Sequence, residues 1–407
     1  MSTATPSRRR SARLRFVRIA LEARHSRWAA PLTLWVASRI VSTTLLALMF
    51  GIATAAGWSF ASHRSDPSFL TFSGSWDASF YRTIAEHGYP TRLPRDAAGT
   101  VLPNPWAFLP VFPAVVRAVM LTGASFWLAG VIVATLCGAG AAIMLYRLVA
   151  TTGCSTRARR ATALFVFGPM GFLLQVSYAE SMFLLLVFAA LLALTRQRYW
   201  LVAALGVVAA FTRPGVLALA VALAVELVVR WVRASRGGPR FGWDRRVAVV
   251  IAGLVVAAAG LAWPLIAGAV TGVPSAYLDT ELSWWTGFVG RVSFHPFAPW
   301  FLFAGRWLGV GGIALVLAIL AAGGWFFARR EVRRIGLGPW AFVCAYGLYL
   351  VAVFLPQQSL PRLLMPMAPA LGSDVFVGSR RRAVLWLAVG LVLQPVAIVL
   401  LWFLGYP

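Results

Sequence analysis

The chain has 407 residues, 60% of them hydrophobic and 12% charged, with a formal net charge of +25 carried by 37 basic residues, all Arg. Soluble domains carry about a quarter charged residues, and apolar runs of about 20 residues recur along the whole length, so an ordinary soluble protein is excluded and an all-α polytopic membrane protein is expected. A transmembrane barrel would alternate in short segments instead, and the arginines are read as topology signals in place of a nucleic-acid surface.

The first 30 residues contain "SRRRSARLRFVRIALEARHSR", read as a basic cytoplasmic tail that either lies on anionic lipid or stays disordered. Residues 31–407 form the transmembrane domain. Its expected spans, about eleven, are 31–57, 123–147, 160–175, 177–195, 199–212, 214–230, 246–270, 299–328, 338–356, 362–378 and 383–405. Placed on these spans, 27 of the 37 arginines fall on one side. The positive-inside rule makes that side the cytoplasm, with the N-terminus inside and the C-terminus outside. The other side receives a long first extracytoplasmic loop, 58–122. Over 58–105 its four arginines (Arg64, Arg82, Arg92, Arg95) balance four acids (Asp66, Asp77, Glu86, Asp96). Within it, 76–88 reads as a short helix and "NPWAFLPVFPAVVRAVM" as a second one at the interface. Cys137, Cys154 and Cys344 show no metal or disulfide spacing, and neither metal nor cofactor is expected.

Polar groups near the membrane gather at the outer level. "WDASFYRTIAEHGY" (76–89) brings Asp77, Glu86 and His87, and "SYAES" (177–181) brings Tyr178 and Glu180. "FTRPG" (211–215) brings Arg213, and "LPQQSLPR" (355–362) brings Gln357, Gln358 and Arg362. A charge at membrane depth usually faces a bundle interior or cavity, and backbone broken at Pro is tolerated where it lines one. Simpler readings stand beside this. Asp77 is also well placed to cap a helix, Arg213 and Arg362 to snorkel, Glu180 to cap or pair structurally, and Glu86 and His87 to sit on the surface. Asp279, Glu281, Arg291 and His295, among Trp284, Trp285 and Trp300, read as interface anchors; Arg39, Arg117 and Arg306 read as structural or snorkelling. Chemically, one carboxylate can take a proton from a sugar hydroxyl, and two arginines can hold a phosphate and stabilise its charge as it leaves. The set permits transfer from a lipid-phosphate sugar without requiring a metal, and does not by itself select that reaction.

At these residues the sequence resembles the PIG-V family of mannosyltransferases, within the GT-C superfamily. The resemblance rests on "WDASFYRTIAEHGYP" (76–90), "NPWAFLPVFPAVVR" (104–117), "GPMGFLLQVSYAESMFLLLVFAAL" (168–191), "FTRPGVL" (211–217) and "PRLLMPMAPA" (361–370), in order over about three quarters of the chain. It implies a GT-C transmembrane bundle with an outward-facing site, a polyprenyl-phosphate mannose donor, inversion at the sugar carbon, and no nucleotide sugar. It places the family's base on Asp77 and its glutamate and arginines on Glu180, Arg213 and Arg362. Trp76, His87, Tyr178 and Gln358 complete the expected substrate-binding set. The Arg-only, Ala-rich composition is that of a GC-rich, actinobacterial-like genome, so the expected acceptor is an envelope glycolipid, lipoglycan or protein, not the eukaryotic anchor precursor. Competing readings are a flippase for a lipid-linked sugar, a transferase for another sugar such as arabinose, and a non-catalytic scaffold.

Overall fold

The computed structural model describes residues 7–59 and 67–405, with side chains from Trp28 onward. The basic tail therefore lies almost wholly outside the described side chains, and Arg64 and Asp66 lie outside the described residues. Those described form helices and no strand, with a single bridge between Arg95 and Val101.

The chain opens with α1 (Ser7–Ala55). The first loop carries α2 (Phe69–Phe72), α3 (Ala78–His87) and α4 (Val111–Met120). Next come α5 (Phe126–Val149), α6 (Ser155–Val166), α7 (Glu180–Thr195), α8 (Tyr199–Ala210), α9 (Leu217–Ser235) and α10 (Trp243–Thr271). The short α11 (Ala276–Ser283) and α12 (Thr286–Val289) lead to α13 (Ala298–Ala328), broken at Gly309, whose φ of 55° is left-handed. The chain then builds α14 (Arg330–Arg333), α15 (Leu337–Val353), α16 (Leu360–Leu363), α17 (Asp374–Val377) and α18 (Arg380–Ala397). A π-helical turn, Ile398–Phe403, extends α18.

Among the described residues, five segments are long and apolar enough to cross a membrane: Trp28–Ala55, Phe126–Val149, Trp243–Thr271, Ala298–Ala328 and Arg380–Phe403. All five coincide with expected spans. The remaining six expected spans are shorter or carry more charge. α6 and α8 have 12 residues each and α7 has 16. At 1.5 Å per residue these reach roughly 18–24 Å, short of a hydrocarbon core of about 30 Å. The segment 362–378 is built from α16, a 3-10 stretch (Met365–Gly372) and α17, not from one span.

Breaks in these short helices are held by polar contacts. Arg39, in the middle of α1, donates to Gly171 O (2.9 Å) and Gln175 Oε1 (3.1 Å) and lies over the Trp35 ring. It thus has a structural role, satisfying carbonyls that the 3-10 turn Gly171–Gln175 frees. At the α8–α9 turn, Pro214 offers no N–H, and Gly215 takes φ +104° with a Tyr346 ring carbon 2.7 Å from where a Cβ would sit. Only glycine fits there.

Arginine-bearing segments meet one another at one end of the bundle. Arg157 pairs with Asp374 at 2.5 Å, Arg160 and Arg382 donate to Val377 O and Asp374 O, and Arg245 reaches Gln197. The first loop closes the opposite end. Val111 N donates to Phe211 O at 3.0 Å and Ser177 N to Ser73 O at 3.4 Å. Asn104, 1% exposed, donates to Leu102 O and to the fully buried Thr280 Oγ1 of α11, both at 2.9 Å, and accepts from Trp106 N. Trp263 Nε1 bonds Trp106 O, and Tyr89, Trp106 and Trp263 pack ring on ring. Asn104→Ala strands the Trp106 N–H and cuts the α11 tie, so we expect a loss of about 1–3 kcal/mol and faster proteolysis of 88–104 in detergent-solubilised protein, read by timed digestion and thermal melts.

Candidate active site

The site starts from a three-residue turn, Ser75–Trp76–Asp77. Trp76 adopts φ +58°, a left-handed conformation that a bulky residue rarely takes; such strain costs about 1–3 kcal/mol. Hydrogen bonds on every side hold it. Ser75 Oγ donates to Phe72 O (2.8 Å), Trp76 Nε1 to Trp402 O (2.9 Å) and Trp402 Nε1 to Phe72 O (3.1 Å). Tyr178 Oη accepts from the Asp77 N–H and donates to Ser75 O, both at 3.1 Å. Asp77 stands at the N-cap position of α3, but its carboxylate makes no cap bond. It points instead to Arg362, with Oδ2 at 2.5 Å from Nη1. The capping alternative therefore does not account for its side chain.

Arg362 begins a chain of charge. Its Nε lies 3.3 Å from Glu180 Oε1, and Arg213 Nη1 closes on that same oxygen. The order is Asp77, Arg362, Glu180, Arg213: two carboxylates, two guanidiniums, net zero. Glu180 side chain is 4% exposed, Arg362 11% and Arg213 14%, so neither arginine snorkels to solvent. Glu180 is the first residue of α7, where a negative charge also suits the helix dipole. Arg362 lies over the Tyr178 ring at 5.4 Å, which fixes the guanidinium plane. Beside these charges a narrow cleft is lined by Glu180, Arg213, Arg362 and Tyr346 and by the apolar Phe183, Leu184, Leu363, Met365 and Pro366.

Across the outer side runs α11. Tyr277, Glu281 and Trp284 recur at i, i+4 and i+7, one face of a helix and its exit. Tyr277 packs on the Trp106, Leu109 and Trp263 cluster that also seats Phe211, two residues before Arg213. Trp284 meets the Phe80 ring edge-on at 5.5 Å, and Phe80 stacks on Phe108 at 4.8 Å. Glu281 lies between, partly buried and hydrogen-bonded to Tyr277, within electrostatic reach of Arg213 and Asp77. Burial pushes its carboxyl up to about 7, with Asp77 adding to the rise and Tyr277 and Arg213 opposing it.

The structure thus brings together Asp77, Tyr178, Glu180, Arg213 and Arg362, with Trp76 in the supporting turn. It does not bring in His87, which stands 75% exposed at the far end of α3, 3.8 Å from Glu86. Ten residues of helix, about 15 Å, separate it from Asp77, so the structure places it at the surface, apart from the charged cluster. Glu86 pairs with Arg82 on that face. Gln358 turns toward Gly405 and does not line the cleft. Sequence reasoning passed over Tyr346 and treated Glu281 as an interface anchor; the period joining Tyr277, Glu281 and Trp284 was its available signal. Tyr81 docks α3 on the bundle between Phe108 and Phe112 and also lies near the charges.

Glu180 is the only carboxylate among the described residues that touches both arginines. Glu180→Ala leaves Arg213 buried without its partner, and we expect about 3–5 kcal/mol of destabilisation. Glu180→Ala with Arg213→Met should recover much of that loss; thermal melts of the single and double variants read it.

Residues 29–230 match the family model described as Mannosyltransferase (PIG-V). No curated protein matches the chain. The matched stretch holds the Trp76–Asp77 turn, Tyr178, Glu180 and Arg213, and ends before Glu281, Arg362 and Trp402. Over that stretch the chain is similar to the PIG-V mannosyltransferases, a family of membrane glycosyltransferases.

Proposed function

We propose that the chain transfers mannose from a polyprenyl-phosphate donor to a hydroxyl of an envelope glycolipid, lipoglycan or protein on the extracytoplasmic side, with inversion and without a metal. One observation carries this reading: two buried arginines, tied to a carboxylate at each step, share one cleft with an apolar wall. A polyprenyl phosphosugar has the matching parts, an apolar chain, one phosphate and a sugar.

Arg362 and Arg213 would receive the donor phosphate, whose lipid runs along Leu363, Met365 and Pro366. Arg362 now holds Asp77; a phosphate that draws Arg362 away releases the carboxylate as the donor binds. Asp77 then takes the proton of the acceptor hydroxyl as that oxygen bonds the sugar carbon. The bond from that carbon to the phosphate oxygen breaks, its electron pair leaving on the phosphate. A phosphodiester with one negative charge becomes a monoester gaining a second, and the arginines meet that charge where it forms. This is the part a divalent cation would otherwise play. Glu180 keeps both guanidiniums from turning away between turnovers. The arginine-rich end faces the cytoplasm on this reading, which puts the site and residue 405 outside.

Asp77→Asn keeps the shape of the side chain and removes the base. Transfer from labelled polyprenyl-phosphate mannose in membranes of a deletion strain should fall about 10²–10⁴-fold, with protein level and donor affinity kept. Equal transfer by wild type and variant would remove Asp77 from the mechanism. Arg362→Lys, a point charge without the planar fork, should lower kcat by about 10²-fold, measured in the same assay.

A further inference from the structure

We propose that Glu281 on α11 is a substrate-contacting residue of this site, holding the acceptor sugar opposite Asp77 against an apolar platform made by Phe80 and Trp284. The inference rests on the proposed transfer reaction and extends it to a residue beyond the family match.

Geometry carries it first. Two independent contacts fix α11 over the charged chain. At one end Tyr277 packs on the cluster of Trp106, Leu109 and Trp263 that also seats Phe211, two residues before Arg213, and at the other Trp284 packs against Phe80, three residues after Asp77. Thr280, bonded to Asn104, locks the helix rotation between them. Glu281 is thereby held partly buried and hydrogen-bonded to Tyr277; the other acid of the helix, Asp279, bonds Ser275 at 2.7 Å. Electrostatics adds the second part. The groups near Glu281 are Tyr277 on its own helix, Tyr349 on α15, Arg213 at the α8–α9 turn and Asp77 at α3. Arg213 is already committed to Glu180, and Asp77 repels a second negative charge. Glu281 is therefore a carboxyl that can keep its proton near neutral pH. A neutral acid beside an ionised one can donate a hydrogen bond to one oxygen of a sugar while Asp77 accepts the proton of the neighbouring hydroxyl. Apolar ring faces next to such polar groups are what a pyranose ring requires.

The site then has two sides. Phosphate and lipid occupy the cleft below Arg362, and the acceptor enters beneath α11 from the loop side. Above pH about 7 Glu281 ionises, loses its donor and adds charge repulsion, so acceptor affinity falls as pH rises.

The test uses full-length protein in detergent, with octyl α-mannoside as the acceptor probe and polyprenyl-phosphate mannose as donor. Binding of each is followed by tryptophan fluorescence, alongside transfer. Glu281→Ala should weaken mannoside affinity about 10–100-fold and leave donor affinity unchanged. Glu281→Gln, whose amide donates at every pH, should restore affinity and abolish its decline between pH 6 and 8. Helix content and melting temperature of the variants exclude misfolding as the cause. Mannoside affinity unaltered in Glu281→Ala, or a loss that falls on the donor instead, overturns the proposal. Transfer by the wild type with equal transfer and binding by both variants rejects the role of Glu281 alone. The predicted mannoside split without any transfer supports the subsite and rejects the transferase reading.

Discussion

The interaction on which the architecture depends is the buried chain of charge from Asp77 through Arg362 and Glu180 to Arg213. Each member sits on a different segment, and none could stay at that depth alone, because an unpaired ion there costs several kcal/mol. The four segments must therefore arrive at one level together. That requirement explains why α6, α7 and α8 stop short of a full crossing, why Pro214 and Gly215 break the chain beside Arg213, and why Arg362 lies on a four-residue helix. Chain breaks free carbonyl and amide groups, and the polar residues of the neighbouring spans, such as Arg39 and Gln175, are spent on satisfying them.

Much of this was legible in the sequence, for reasons that can be named. Long apolar runs report spans directly, and all five crossing-length helices fall where the hydropathy put them. Asp77, Glu180 and Arg213 stood out because charge is rare in an apolar chain and must have a partner. Proximity could not be read for residues whose surroundings are ordinary. His87 carried the same chemical promise as Asp77, yet its helix turns it to solvent. Glu281 lay in a loop already rich in polar and aromatic residues, where one more acid is unremarkable until α11 is seen to lie over Arg213. The segment 362–378 looked like a span because its composition is apolar, while its three prolines (Pro361, Pro366 and Pro369 at and within it) dictate short turns.

The site is also asymmetric in its rigidity. Below Arg362 the walls are apolar side chains of the bundle; above it they are loop helices clamped by Asn104–Thr280 and by the rings of Tyr89, Trp106 and Trp263. A mannosyltransferase working on a lipid-borne donor and a separate acceptor needs two entrances that do not compete. A membrane-embedded cleft on one side and a loop roof on the other provide them on the proposed reading.

Trp402 carries a consequence for biosynthesis. Its carbonyl and indole bond Trp76 and Phe72, and its ring packs on Tyr178, across a separation of 326 residues from Trp76. The strained turn that carries Asp77 thus lacks its two Trp402 hydrogen bonds until residue 402 leaves the ribosome. At about 5–20 residues per second, the first loop waits roughly 15–65 s in an unfinished state. Assembly of the last membrane segment is therefore what completes the turn that carries Asp77.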